Sequence, residues 1–275
     1  MFTQNAFATA AASLPGGFLK WYLVVMILAV VLGTLFDIVH KASARYFFAS
    51  WGGGKAKRTR ELGAGDLAGI AVQTALVDVA TSAEFCNQRR RIAHLLTMYG
   101  FILYVATTLW MVFGYGAADA ATPAILPTLW WIGAAMVLLG CYWFWFFIRV
   151  DVAAEGNTPL RFVKADLFVV SMMVSVTLGV IWAGTGGGAG WLFWLYLLAT
   201  AVLFLGVPWS KFAHMFFKPA AAFEKRVAHA NGSNEKLPLQ TRDDPEQQKR
   251  HSMELLRDAP MDMGLGIKRE APRHY

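Results

Sequence analysis

Six histidines are the residues in this chain best suited to hold a metal or move a proton. His229, His251 and His274 fall in a polar C-terminal stretch, where solvent alone accounts for them. His40, His94 and His214 each stand at the end of an apolar run. His94 and His214 belong to different runs, and both adjoin cations. Arg89, Arg90 and Arg91 precede His94, while Lys211 and Lys218 flank His214. Two imidazoles from separate helices at one depth are what a six-coordinate haem iron requires, one on each face. The neighbouring cations would then be charge partners for the haem propionates. The alternative is that both histidines are interfacial polar residues and the cations only set topology. Asp37 and His40 form a second constellation, three residues apart and so on one helix face. An ionisable group inside an apolar run is costly, which points to proton transfer or a quinone contact. A carboxylate that reaches the interface and pairs with a base explains it equally well.

The runs that must position these residues are long. Of 275 residues, 56% are hydrophobic and only 16% charged, which excludes an ordinary soluble domain. Five runs are each read as a transmembrane helix: 21–39, 92–116, 126–148, 167–183 and 191–208. Crossing the hydrocarbon needs about 20 residues at about 1.5 Å each. A barrel is excluded because no period-2 alternation appears. The expected fold is therefore an all-α membrane protein, a five-helix bundle over residues 1–217. Segment 40–91 is its largest loop and 218–275 a basic, flexible tail. Within the loop, Asp66–Phe85 has apolar residues at helical spacing, so an amphipathic helix at the membrane interface is expected, with Asp66 at its N-cap. Met1–Gly17 lacks the basic start of a signal peptide, so the first run is read as retained. Pro208 removes a backbone donor and should end or kink the fifth helix.

Basic residues set the orientation. Nine lie in 41–91, three in 149–164 and twelve from Ser210 onward, leaving Lys20 alone on the other side. By the positive-inside rule the N-terminus is outside and the C-terminus cytoplasmic. The net charge of +7 is explained by that rule, and no recognition module accompanies it, so nucleic acid is excluded as a partner. The lipid bilayer is the surrounding medium. Cys86 and Cys141 form no iron–sulfur spacing. The minimal outer loops and the absence of an internal repeat disfavour a transporter.

Two stretches, RRRIAHLLTMYGF (Arg89–Phe101) and GVPWSKFAHMFFKP (Gly206–Pro219), resemble the second and fifth helices of the respiratory nitrate reductase gamma-subunit superfamily. The five-run form without an iron–sulfur extension is most similar to the membrane anchor of dissimilatory adenylylsulfate (APS) reductase. The resemblance implies a prokaryotic inner-membrane subunit that docks a cytoplasmic iron–sulfur flavoprotein and links it to quinone through haem b. Members typically hold two haems between two histidine pairs. His94 and His214 match the pair nearer the cytoplasm. Tyr104 and Tyr196 stand where the second pair would be, so one haem is expected. A haem-free structural anchor for the same partner is the alternative.

Overall fold

The computed structural model describes residues 2–40, 43–83, 85, 87–117, 121–149, 158, 160–210, 212 and 214–237, without the side chains of residues 43, 44, 165 and 214. No strand occurs among them, and the chain forms two compact helical units. The first contains residues 1–44 and 87–218, and the second residues 45–86 and those from 219 onward.

The first unit opens with a short helix, α1 (Ala6–Ala11). Asn5 caps it, its Oδ1 accepting from the N–H groups of Phe7 and Ala8, while its Nδ2 donates to the Tyr115 carbonyl at 3.1 Å. Phe7 is thereby buried against the rings of Trp182 and Tyr196. Four further helices are long and apolar enough to cross a membrane. They are α2 (Phe18–His40), α5 (Gln88–Tyr115), α6 (Ile125–Trp143, extended by a π-helical turn Phe144–Ile148) and α7 (Leu167–Gly184). Helix α8 (Trp191–Leu205) is equally apolar but spans only 15 residues. It stops at Gly206, where Pro208 enters a 3-10 turn, Val207–Trp209, because proline cannot donate to the helical ladder. The expected fifth run of 191–208 therefore ends as regular helix at Leu205.

Helices α5 and α6 form the closest pair, and α2, α7 and α8 complete the bundle. Glycine permits the closeness. A Cβ on Gly133 would lie 2.7 Å from the Tyr104 nitrogen, and one on Gly100 would lie 2.8 Å from the Val137 nitrogen. One on Gly140 would lie 2.7 Å from the Ala93 carbonyl oxygen. Small residues let backbones touch where water is not available to drive association. Away from this seam, α2 leaves Leu28, Leu32, Leu35 and Val39 exposed, an apolar face of the kind that suits hydrocarbon.

The second unit is built from α3 (Ser43–Lys57), α4 (Ala64–Gln73) with its π-helical continuation Thr74–Ala80, and α9 (His214–Ala230), which runs in from the first unit. Segments expected to be loop and tail thus join in one unit. Arg226 grips Asp78 with two bonds, Nε to Oδ2 at 2.5 Å and Nη2 to Oδ1 at 2.8 Å. Buried Ser50 donates to Glu224 at 2.7 Å, Lys57 pairs with Glu235 at 2.8 Å, and Trp51 stacks on Phe223. The Thr59 and Arg60 amides both donate to the Asn231 carbonyl. The chain through Leu237 is therefore held by side-chain bonds, although its composition reads as a solvated tail; 238–275 of that tail lie outside the described residues. Arg226→Ala strands a partly buried carboxylate, a cost of about 1–3 kcal/mol. It is expected to speed tryptic cleavage after Arg58 and Arg60 several-fold; unchanged cleavage would show that the pair does not hold the unit.

Candidate functional site

Helix α5 carries His94 near its cationic end. Asn87 starts the helix, its side chain accepting from the Arg89 and Arg90 amides at 2.9 and 3.2 Å. His94 is half-buried, next to Ala93, whose carbonyl meets Gly140 at the α5–α6 seam. Seven residues on, and so on the same helix face, Phe101 packs against Phe204 of α8 and Phe212, with ring centroids 6.5 and 6.4 Å away. Phe212 is buried and also packs edge-on against Phe168. His214, two residues later, opens α9. The fold thus brings the segment carrying His214 to the stripe of α5 that carries His94. The His214 side chain itself, and Lys211, lie outside the described residues.

The other expected residues are distributed differently. Arg90 donates to the Ile148 carbonyl at 3.2 Å, so it closes the end of the α6 π-turn. Arg89 and Lys218 are exposed, and Arg91 is half-buried. Asp37 is 4% exposed and points inward, one turn beyond Gly33, which abuts Val207 and Pro208. His40 is exposed and stacks on Phe36 at 5.1 Å. Three-residue spacing therefore puts Asp37 and His40 in unlike surroundings.

Sequence reasoning passed over Arg149. Its Nε donates to Asp166 Oδ1 at 2.9 Å, Nη2 bonds the other carboxylate oxygen, and its guanidinium lies 4.3 Å from the Trp145 ring centre. The two side chains are 9% and 13% exposed. Asp166 also accepts from the Val163 amide, so the pair fastens the end of α6 to the start of α7. Nothing local in the sequence announces a pair 17 positions apart.

Deeper in the bundle, Tyr104 and Tyr196 meet directly, hydroxyl to hydroxyl, at 3.1 Å. Trp130 lies over Tyr104 at 4.9 Å and Trp182 stacks on Tyr196 at 5.3 Å. Gly179 makes room, since a Cβ there would come within 2.6 Å of the Tyr104 hydroxyl. The two positions at which the resemblance would put a second ligand pair are thus tyrosines bonded to each other and walled by indoles. At the level of His94, Phe101, Phe204 and Phe212 form an apolar wall on the side where the backbone of His214 begins α9.

Comparison with protein-family models, curated proteins and solved structures finds no match to this chain.

Proposed function

We propose that this protein is a five-span inner-membrane anchor and electron-transfer subunit. It would hold one haem b between His94 and His214 and dock a cytoplasmic iron–sulfur flavoprotein of the APS reductase type. The observation that carries the reading is the packing of Phe212 on Phe101, which joins the two histidine-bearing segments. The resemblance of those two segments to the nitrate reductase gamma-subunit superfamily agrees with it. Haem b supplies one-electron transfer between the partner and the quinone pool. The chain contributes two imidazoles, an apolar wall and nearby cations, of which Arg91 is the most sheltered among those described. Sulfur chemistry belongs wholly to the partner.

The remaining parts of the reading follow from charge and exposure. Helix α8 is the fifth crossing, completed by the turn at Val207–Trp209. The N-terminus is outside and the second unit cytoplasmic, in keeping with the clustering of basic residues. The helical segment 64–80 lies on the membrane surface: Ala68, Val72, Ala75 and Leu76 are exposed along one side. Its acids are already engaged, Asp66 with the Gly63 amide and Arg60, and Asp78 with Arg226. Reporter fusions after Gly116 and Gly187 are expected to report the outside, and fusions after Trp51 and Gly232 the cytoplasm. A cytoplasmic signal at Gly187 would remove the fifth crossing. The second unit would attract an acidic partner, so partner retention on membranes is expected to fall as salt rises. Retention that is independent of both salt and the residues beyond Val227 would count against docking there.

A haem-free anchor for the same partner is the second reading. The direct Tyr104–Tyr196 contact favours it, because a chain that lacks one family haem is a step closer to lacking both.

A further inference from the structure

Helix α1 is too short to hold itself together. It has six residues, and isolated helices below about 12–15 are marginal in water. Contacts with one end of the bundle fix it, the end that bears the 115–125 and 184–190 connections. Asn5 caps α1 and also donates through Nδ2 to the Tyr115 carbonyl at 3.1 Å and to the Thr122 hydroxyl at 3.0 Å. At the second connection, Gly187 lies against Ala6. A Cβ on Gly187 would come 2.6 Å from the Ala6 Cβ and 2.7 Å from its Cα. Its φ of +72° also disfavours any side chain. That turn is tied to α7 in its own right, since the Trp182 indole donates to the Gly188 carbonyl at 2.8 Å.

These clamps seat one ring among three helices. Phe7 is 3% exposed, and its ring centroid lies 5.2 Å from that of Trp182 on α7, 6.1 Å from Trp130 on α6 and 6.4 Å from Tyr196 on α8. Beneath it is a cleft of about 50 Å³, which Phe7 lines together with Tyr104, Tyr196, Ser175 and Thr200. Ser175 is buried, seven residues before Trp182 and so on the same face of α7, about 10 Å deeper. A water needs roughly 10–15 Å³ of such space, so the cleft has room for several. Its hydroxyls bond to one another and to a carbonyl: Tyr104 to Tyr196, and Tyr22 to Thr200 and the Leu197 oxygen. Bulk water entering there would compete for those bonds.

We propose that α1 is a plug that seals this end of the bundle, so that water and protons do not reach the Tyr104–Tyr196 pair through it. Phe7 is the stopper, and Asn5 and Gly187 are the two clamps that seat it. Between α1 and α2 the chain turns at Gly17, where φ is +78°, which lets α1 lie back over the helix ends. The proposal stands on the packing alone and needs neither haem nor partner.

The test places a thiol below the plug with Ser175→Cys in the full-length protein in nanodiscs. The reagent is 2-(trimethylammonium)ethyl methanethiosulfonate, a cation that does not cross lipid, and modification is read at residue 175 by peptide mass. Nanodiscs leave both faces open to the reagent, so the result does not depend on which end is outside. With α1 seated, residue 175 should react at least a hundredfold more slowly than Thr9→Cys on the exposed side of α1. Adding Phe7→Ala should speed its reaction at least tenfold. Gly187→Ala, which pushes on Ala6 from the other clamp, should do the same, whereas Gly188→Ala, whose Cβ meets nothing within 4 Å, should not. Buried Cys141 should stay unreactive throughout. Equal rates at residues 175 and 9 with α1 intact would overturn the proposal without any disruptive variant. An unchanged rate in Phe7→Ala or in Gly187→Ala, as monodisperse protein, would also overturn it. Reaction at Cys141 alongside residue 175 would assign the effect to loosening of the whole bundle and overturn the plug.

Discussion

Replacing His94 or His214 with alanine is expected to strip haem b from the purified protein while leaving its insertion in the membrane intact. A six-coordinate iron held by two imidazoles loses half its protein attachment with either one. The α5–α6 seam runs through Ala93, Gly100, Gly133 and Gly140, and neither substitution alters those residues. Haem content should therefore drop at least tenfold in each variant. His40→Ala serves as the comparison: His40 is exposed and stacked on Phe36, so its loss should leave the haem spectrum unchanged. A full haem complement in His94→Ala, in monodisperse protein, would remove His94 from the ligand set.

Gly133→Leu is expected to have the largest effect on folding. Even the first carbon of the new side chain would sit 2.7 Å from the Tyr104 nitrogen and 2.9 Å from the Gly100 carbonyl oxygen. Both obstacles are backbone, so no rotamer change relieves the overlap, and α5 and α6 must separate. Overpacking in a core typically costs about 1–3 kcal/mol; contact with backbone on the opposite helix places this substitution at or beyond the upper end. Little monodisperse protein should survive detergent extraction, against full recovery for a conservative change on the exposed face, such as Leu139→Ile. Wild-type recovery of Gly133→Leu would mean that the seam is looser than the distances imply.

The four long apolar helices were legible in the sequence because a membrane span is a local signal: some 20 apolar residues in a row announce themselves. Pro208 and Gly206 likewise mark the end of α8 by their own chemistry. The second unit was not legible. Its defining bonds join Asp78 to Arg226 and Ser50 to Glu224, pairs far apart in the chain that periodicity cannot detect, while the acids and bases involved look individually like solvated surface. The Arg149–Asp166 lock was hidden for the same reason. Helix α1 was missed because six residues of Ala, Phe and Thr carry no span signal; only Asn5 as a cap hinted at it. For the candidate site, the histidines stood out by type, yet nothing in their spacing showed that Phe101 and Phe212 would pack together. Tyr104 and Tyr196 stood out only through the resemblance, as the positions it implies for a second ligand pair. Their direct hydroxyl contact, and the cleft beside it, needed the fold.

The most direct test of the central claim is the ratio of haem to protein in intact, freshly purified material, measured by the pyridine haemochrome spectrum. One haem b per chain is the result the proposal predicts, since it assigns one ligand pair, His94 and His214, and Tyr104 and Tyr196 are bonded to each other at the other. A ratio near two would contradict the closure at the tyrosines, and a ratio near zero would leave the protein an anchor without a redox role.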